Sequence, residues 1–155
     1  MPLEVHITTA SATDPYVAAM LREHAAEMHD IRAPASLHSE EPAELSAVGA
    51  RMWAAWRDGA VVGIVALVVI ERGHGELKSM RTIAAARRQG VGAALLSRLL
   101  EEAERSGLYR VSLKVGRDRF FEPALHLYER RGFEETSPFG PYREDEGSVY
   151  MTIEL

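Results

Sequence analysis

RRQGVGAALLSRLLEEAERSG, residues 87–107, changes character in its middle, and its reading decides the fold. From Val91 the apolar residues Val91, Leu95, Leu99 and Ala103 recur four apart, flanked by Leu96 and Leu100, while Arg98, Glu101, Glu102 and Arg105 take the other side. That spacing predicts a long amphipathic helix ending at Gly107. On either side the period shortens. ELKSMRTI at 76–83 and Tyr109 to Val115 read as strands, and two strands joined through one crossing helix are expected to lie parallel in a sheet. The first turn of the helix carries N–H groups with no intrahelical partner. Gly90 and Gly92 admit close approach of a ligand to those groups, and Arg87 and Arg88 add positive charge. A diphosphate suits such a terminus. A G-x-G in isolation also serves tight strand-to-helix packing. Neither the nucleotide-triphosphate loop nor the full dinucleotide fingerprint is present.

Outward from this unit the chain continues as a single alternating series. Towards the N-terminus, Leu3, Val5 and Ile7 alternate with polar residues as a short strand, and Asp14-Pro15 opens a helix with Val17, Met20, Leu21, Ala25 and Met28 at helical spacing. Residues 42–49 suggest a brief second helix. Met52–Trp56 and Val61–Ile70 form a hairpin across Arg57-Asp58-Gly59, followed by a turn at 71–75. Towards the C-terminus, Pro123–Arg131 reads as a short helix capped by Gly132, and Phe133 and Ser148–Ile153 as closing strands. The expected fold is α/β: one domain over 1–155, built on a mixed sheet with helices on both faces.

Composition narrows the function classes. The 155 residues are 46% hydrophobic and 26% charged, as in a globular protein able to bury a core of its own. The absence of cysteine removes disulfides, thiolate metal ligands and a cysteine nucleophile. His24 and His29 stand five apart, off one helix face, so no metal site is expected. A formal charge of −5 argues against nucleic acid as the main ligand. The apolar run VVGIVALVVI at 61–70 is half of the roughly 20 residues a membrane-spanning helix needs. With MPLEVHITTA lacking the pattern of a secretory signal, a cytoplasmic location is expected.

Arg87-x-x-Gly90-x-Gly92 resembles the acetyl-CoA signature of the GNAT superfamily of N-acetyltransferases. The likeness extends to Glu76–Thr82, similar to the family's fourth strand, and to Tyr128-x-x-x-Gly132-Phe133. The tail from Gly140-Pro141-Tyr142 to Met151, and more faintly the N-terminal region, are similar to a bacterial subgroup of acetyltransferases. The resemblance implies a mostly antiparallel sheet with one splayed parallel pair. It implies transfer of an acetyl group from acetyl-CoA to a primary amine of a small molecule or peptide, by direct attack in a ternary complex, in a monomer or homodimer. The alternative is a non-catalytic acetyl-CoA sensor or interaction module. In the family the fourth strand pairs through its main chain with the pantetheine arm, as an added strand would. Cofactor contacts are therefore expected at Met80, Arg81 and Thr82, and around the diphosphate at Arg87, Arg88, Gln89, Gly90, Val91, Gly92 and Ala93.

Two residues carry the expected chemistry. Glu76 matches the catalytic glutamate of histone-acetylating members and would take the proton of the acceptor ammonium. Tyr128 matches the family's general acid, and its reference pKa near 10 against about 8.5 for a thiol makes protonation of a departing thiolate downhill. Each also has an ordinary reading, as a surface carboxylate paired with a cation and as an amphipathic core tyrosine. Glu71 and His74, placed in a turn, are weaker substitutes for the base. Two departures stand out. Phe121 replaces a frequent asparagine, and Lys114 stands where many relatives of the subgroup carry an acidic residue. Acceptor specificity is expected to reside in the first helices and in loops near 30–45 and 136–147.

Overall fold

The Asp58-Gly59 pair has φ of 51° and 77°, the left-handed conformation that both central residues of a two-residue hairpin turn adopt. It joins β2 (Arg51–Arg57) to β3 (Ala60–Glu71) in the centre of a seven-stranded sheet. The computed structural model describes residues 4–31 and 41–155; Leu3 and residues 32–40 of the loop near 30–45 lie outside them. The sheet runs β1 (His6–Ala10), β2, β3, β4 (His74–Thr82), β5 (Arg110–Gly116), β7 (Ser148–Glu154), β6 (Glu134–Thr136). All neighbours pair antiparallel except β4 and β5, which are parallel as the crossing helix between them requires.

That helix, α3 (Val91–Arg105), buries Val91, Leu95, Leu96, Leu99, Leu100 and Ala103 against β2, β3 and β4. Each buried leucine contributes about 1.5–3 kcal/mol by leaving water. The opposite face is covered by α1 (Pro15–Ile31), which packs on β3 and β4, and by α2 (Pro42–Ala47). Asp14 caps α1 by accepting the N–H groups of Tyr16 and Val17 at 3.0 and 3.2 Å. Strand β3 is therefore apolar on both sides: Ile64, Ala66 and Val68 meet the α1 side, and Val65 and Leu67 the α3 side. This explains the continuous apolar run at 61–70. The last helix, α4 (Glu122–Arg131), ends on Gly132 at φ 110°.

Strand β4 differs from its sequence reading at both ends. It begins at His74, two residues before the expected start, so His74 is a strand residue at 5% exposure and no part of a turn. The imidazole meets Ser112 Oγ at 2.7 Å and Glu71 at 3.2 Å, which absorbs both of its nitrogens in a structural network. Further along, Ser79 takes φ 53° and the register against β3 slips between Lys78 and Arg81. The extra residue is a bulge. Glu76, Lys78 and Arg81, opposite Val68, Ala66 and Ile64, share the α1 side. Met80 packs with the α3 side, although its even number would place it with Glu76 in an unbroken strand.

Candidate active site

Strands β4 and β5 pair only over His74–Glu76 against Arg110–Ser112. Beyond Glu76 they part, while β4 stays bonded to β3 and β5 to β7. Between the separated edges a cleft of about 630 Å³ opens. It is lined by Glu76 to Met80 on one edge, Lys114 to Gly116 on the other, α1 from above, Phe121, Ala124 and Tyr128 from below, and Tyr142 at one end. Glu76 and Tyr128, far apart in the chain, thus share one cleft.

Glu76 is 4% exposed and held on both oxygens. Tyr142 donates its hydroxyl to Oε2 at 2.5 Å, and Lys78 Nζ lies 3.9 Å from Oε1. The carboxylate belongs to the cleft and not to the exterior surface. Tyr128 is likewise buried, its ring 5.7 Å from that of Phe133, with its hydroxyl donating to Met80 Sδ at 3.3 Å. The hydroxyl thus reaches from α4 to β4, the strand expected to hold the pantetheine arm.

The glycine loop meets the same strand. A Cβ built on Gly92 would stand 3.2 Å from Leu127 Cδ2, 3.9 Å from Met80 Cε and 4.0 Å from Thr82 Oγ1. Gly90 is the N-cap of α3 at φ 84° and provides no side-chain acceptor, so the N–H groups of Val91, Gly92 and Ala93 open the helix without a cap. N–H groups at a helix start suit an anion. Arg87 sits beside them: Nε donates to Thr82 O at 3.2 Å, and the guanidinium lies over the Phe120 ring at 5.8 Å. Arg88 takes φ 63° in the turn, and Gln89 receives a hydrogen bond from Arg57 at 3.0 Å while donating to Ala85 O. The side chain of Arg81 points the other way, into α1, where Nη1 binds Glu27 at 3.0 Å. Any cofactor contact at Arg81 is accordingly through its main chain.

Sequence reasoning missed the partner of Glu76, the burial of His24 and the bulge at Ser79. Tyr142 bonds Glu76 from a loop 66 residues away, so only tertiary structure reveals the pairing. His24, on α1, lines the cleft and keeps a buried Nδ1 without a hydrogen-bond partner among the described residues. Burial first, and the Arg81 guanidinium second, push its imidazole down to about 4 against the opposing effect of Glu27, so His24 is neutral near pH 7. The bulge at Ser79 had no sequence signal, because its residue is neither glycine nor asparagine. Among the described residues no group of histidines and carboxylates could hold a metal ion, and no helix is long and apolar enough to cross a membrane.

Residues 17–133 match the model of the acetyltransferase (GNAT) family. An uncharacterized N-acetyltransferase of Bacillus subtilis, YsnE, is 38% identical over 97% of this chain and 100% of its own. A Klebsiella pneumoniae protein assigned as an acyl-CoA N-acyltransferase superposes with TM-score 0.79 at 28% identity, over 97% of each chain. A GNAT family acetyltransferase of Elizabethkingia anophelis with acetyl-CoA bound shares the fold, with TM-score 0.70 at 18% identity over 97% of this chain and 98% of its own. The splayed strand pair, the uncapped glycine loop and these likenesses point the same way: this chain belongs to the GNAT family of acetyltransferases.

Proposed function

We propose that this acetyltransferase moves the acetyl group of acetyl-CoA directly to a primary amine in a ternary complex, with Glu76 as base and Tyr128 as acid. The observation that carries the reading is the shared cleft: a buried carboxylate at the point of strand separation and a buried phenol on α4 face the same space. Direct transfer needs no nucleophile from the protein. The amine nitrogen, freed of its extra proton by Glu76, forms the new bond to the thioester carbonyl carbon. The bond from that carbon to sulfur breaks, Tyr128 supplies the proton that the leaving thiolate takes up, and the second proton that the nitrogen sheds on becoming an amide restores the tyrosine hydroxyl, while Glu76 passes its own proton to solvent. Acetyl-CoA, when bound, supplies the activated acyl group.

The chain's own residues prepare this step. Tyr142 and Lys78 fix the Glu76 carboxylate, so that its reach into the cleft does not depend on a mobile side chain. The α3 N-terminus, through Val91, Gly92 and Ala93, would hold the diphosphate, with Arg87 and Arg88 adding charge. The edge of β4 from Leu77 to Thr82, unpaired with β5, offers main-chain groups to the pantetheine arm. An acetyl-CoA-dependent thiol-release screen over amino acids, polyamines, aminoglycosides and peptide N-termini tests the reading. Release that depends on one amine class supports it. A thermal shift with acetyl-CoA but no release with any amine would instead identify a non-catalytic acetyl-CoA sensor.

A further inference from the structure

Tyr142 enters the cleft from the loop between β6 and β7 and donates its hydroxyl to Glu76 Oε2 at 2.5 Å, a length usual for a hydrogen bond to an ionised oxygen. The placement is well supported. Phe139 meets the Tyr142 ring edge-on at 5.2 Å, Tyr150 lies 6.1 Å away, and Phe139 in turn sits 5.9 Å from His74, on the strand that carries Glu76. The loop is fastened to itself and to β7. Tyr142 N–H donates to Phe139 O at 3.1 Å, Tyr150 gives its hydroxyl to Arg143 O at 2.6 Å, and the Asp145 carboxylate accepts Gly147 N–H and the Ser148 hydroxyl. The phenol is thus aimed at the carboxylate ahead of any ligand.

A base that is 4% exposed meets a conflict, because burial favours the protonated acid, and a protonated acid cannot take the proton of an ammonium. Donors to the ionised form oppose that tendency. Tyr142 supplies one such donor at hydrogen-bond distance and brings no charge with it, whereas Lys78, 3.9 Å from Oε1, acts at longer range. Other titratable and charged groups face the same cleft: Arg22, His24 and Asp30 of α1, Glu41 ahead of α2, and Lys114 of β5. Lys114 Nζ lies 5.0 Å from the centre of the Tyr142 ring and 3.8 Å from Asp145. All of these remain when the Tyr142 hydroxyl alone is removed, so a comparison of the two proteins isolates the hydroxyl.

Resting on the assignment of Glu76 as base above, we infer that Tyr142 is a positioning residue of the reaction, whose hydroxyl keeps the buried Glu76 ionised and oriented towards the acceptor at neutral pH. The two tyrosines of the cleft then differ in what they do with their protons. Tyr128 gives its proton to the leaving group, while Tyr142 keeps its own in the bond to Glu76 and acts only through that carboxylate.

Tyr142→Phe tests this, since it keeps the ring and its aromatic neighbours and deletes only the donor. Carboxyl-carbon NMR of protein labelled at glutamate Cδ, with the Glu76 signal identified by its absence in Glu76→Gln, follows protonation without acceptor or cofactor. Loss of one hydrogen bond to a charged group should raise the Glu76 midpoint by about 1–2 pH units. The acid limb of kcat/KM for thiol release should move up by the same amount, with most of the rate regained above it. A residue that only packs would lower the rate evenly across pH and leave both midpoints in place. An unmoved Glu76 midpoint in folded Tyr142→Phe overturns the inference while amine acetylation stands. A moved midpoint with an unmoved acid limb removes Glu76 from the role of base, and the inference falls with it. In the parental protein the Tyr142 Cζ resonance should titrate together with the Glu76 carboxyl; separate titration overturns the inference even should the variant not fold. A moved midpoint with no thiol release from any amine overturns the proposed function and this inference together.

Discussion

Replacing Tyr128 by phenylalanine removes one hydroxyl from a packed ring and so separates catalysis from stability. The ring is 4% exposed, lies 5.7 Å from Phe133 and belongs to the core shared with α3. All of that packing survives in Tyr128→Phe. The hydroxyl donates to the thioether sulfur of Met80, a weak acceptor, at 3.3 Å. Its loss should cost about 1 kcal/mol or less, which lowers Tm by about 2–4 °C for a chain of this size. Loss of a general acid removes about 10²–10⁴ in rate, equivalent to about 3–5 kcal/mol of transition-state stabilisation. The kinetic effect thus exceeds the structural one several-fold. The assay is single-turnover thiol release with a saturating acceptor, beside melting curves and acetyl-CoA titrations, both of which should stay close to parental. Parental turnover in a folded Tyr128→Phe protein, with chemistry shown to be rate-limiting, would make Tyr128 a packing residue and refute the acid assignment.

Glu76→Gln keeps the shape of the side chain and abolishes its basicity; turnover is expected to fall about 10²-fold or more near neutral pH and to recover as rising pH deprotonates the amine unaided. A uniform loss across pH would point to a positioning role only. Gly92→Glu inserts bulk 3.2 Å from Leu127 and a negative charge at the α3 N-terminus, so CoA affinity measured by calorimetry should fall by at least about 100-fold in a protein that still folds. Unaltered affinity would place the diphosphate elsewhere. His24 takes its proton near pH 4 in the folded chain and near 6.5 in the unfolded chain. The unfolded state is therefore protonated first, so the stability contribution of neutral His24 is complete above pH 6.5 and is lost as pH falls towards 4. The loss amounts to at most about 3 kcal/mol. Denaturant unfolding across this window should show a shallower decline in His24→Phe, and an equal slope would exclude His24 as its source.

Much of the architecture follows from local periodicity. The four-residue spacing from Val91, the Asp58-Gly59 turn, Asp14-Pro15 before Val17 and Gly132 after Arg131 each specify one element through backbone geometry that neighbouring residues alone determine. The helix between β4 and β5 then forces their parallel pairing. The glycine loop was legible for the same reason, since a helix terminus and its glycines are contiguous in the chain.

What was not legible depends on contacts between distant segments. The sequence placed His74 in an exposed turn, but Ser112 and Glu71 close around its ring in the folded sheet. The main-chain turn at Ser79 reverses the alternation of β4, so that Glu76 and Lys78 face α1 while Met80 faces α3. No residue type announces that bulge. The site owes its electrostatics to the same distances in the chain: Tyr142 meets Glu76, Glu27 meets Arg81, and Lys114 meets Asp145. By itself the sequence determined the elements, their order and the helix terminus suited to a diphosphate, because these arise from neighbouring residues. Only the tertiary structure decided which charges are buried together, because desolvation and Coulomb energy depend on proximity in space and not along the chain.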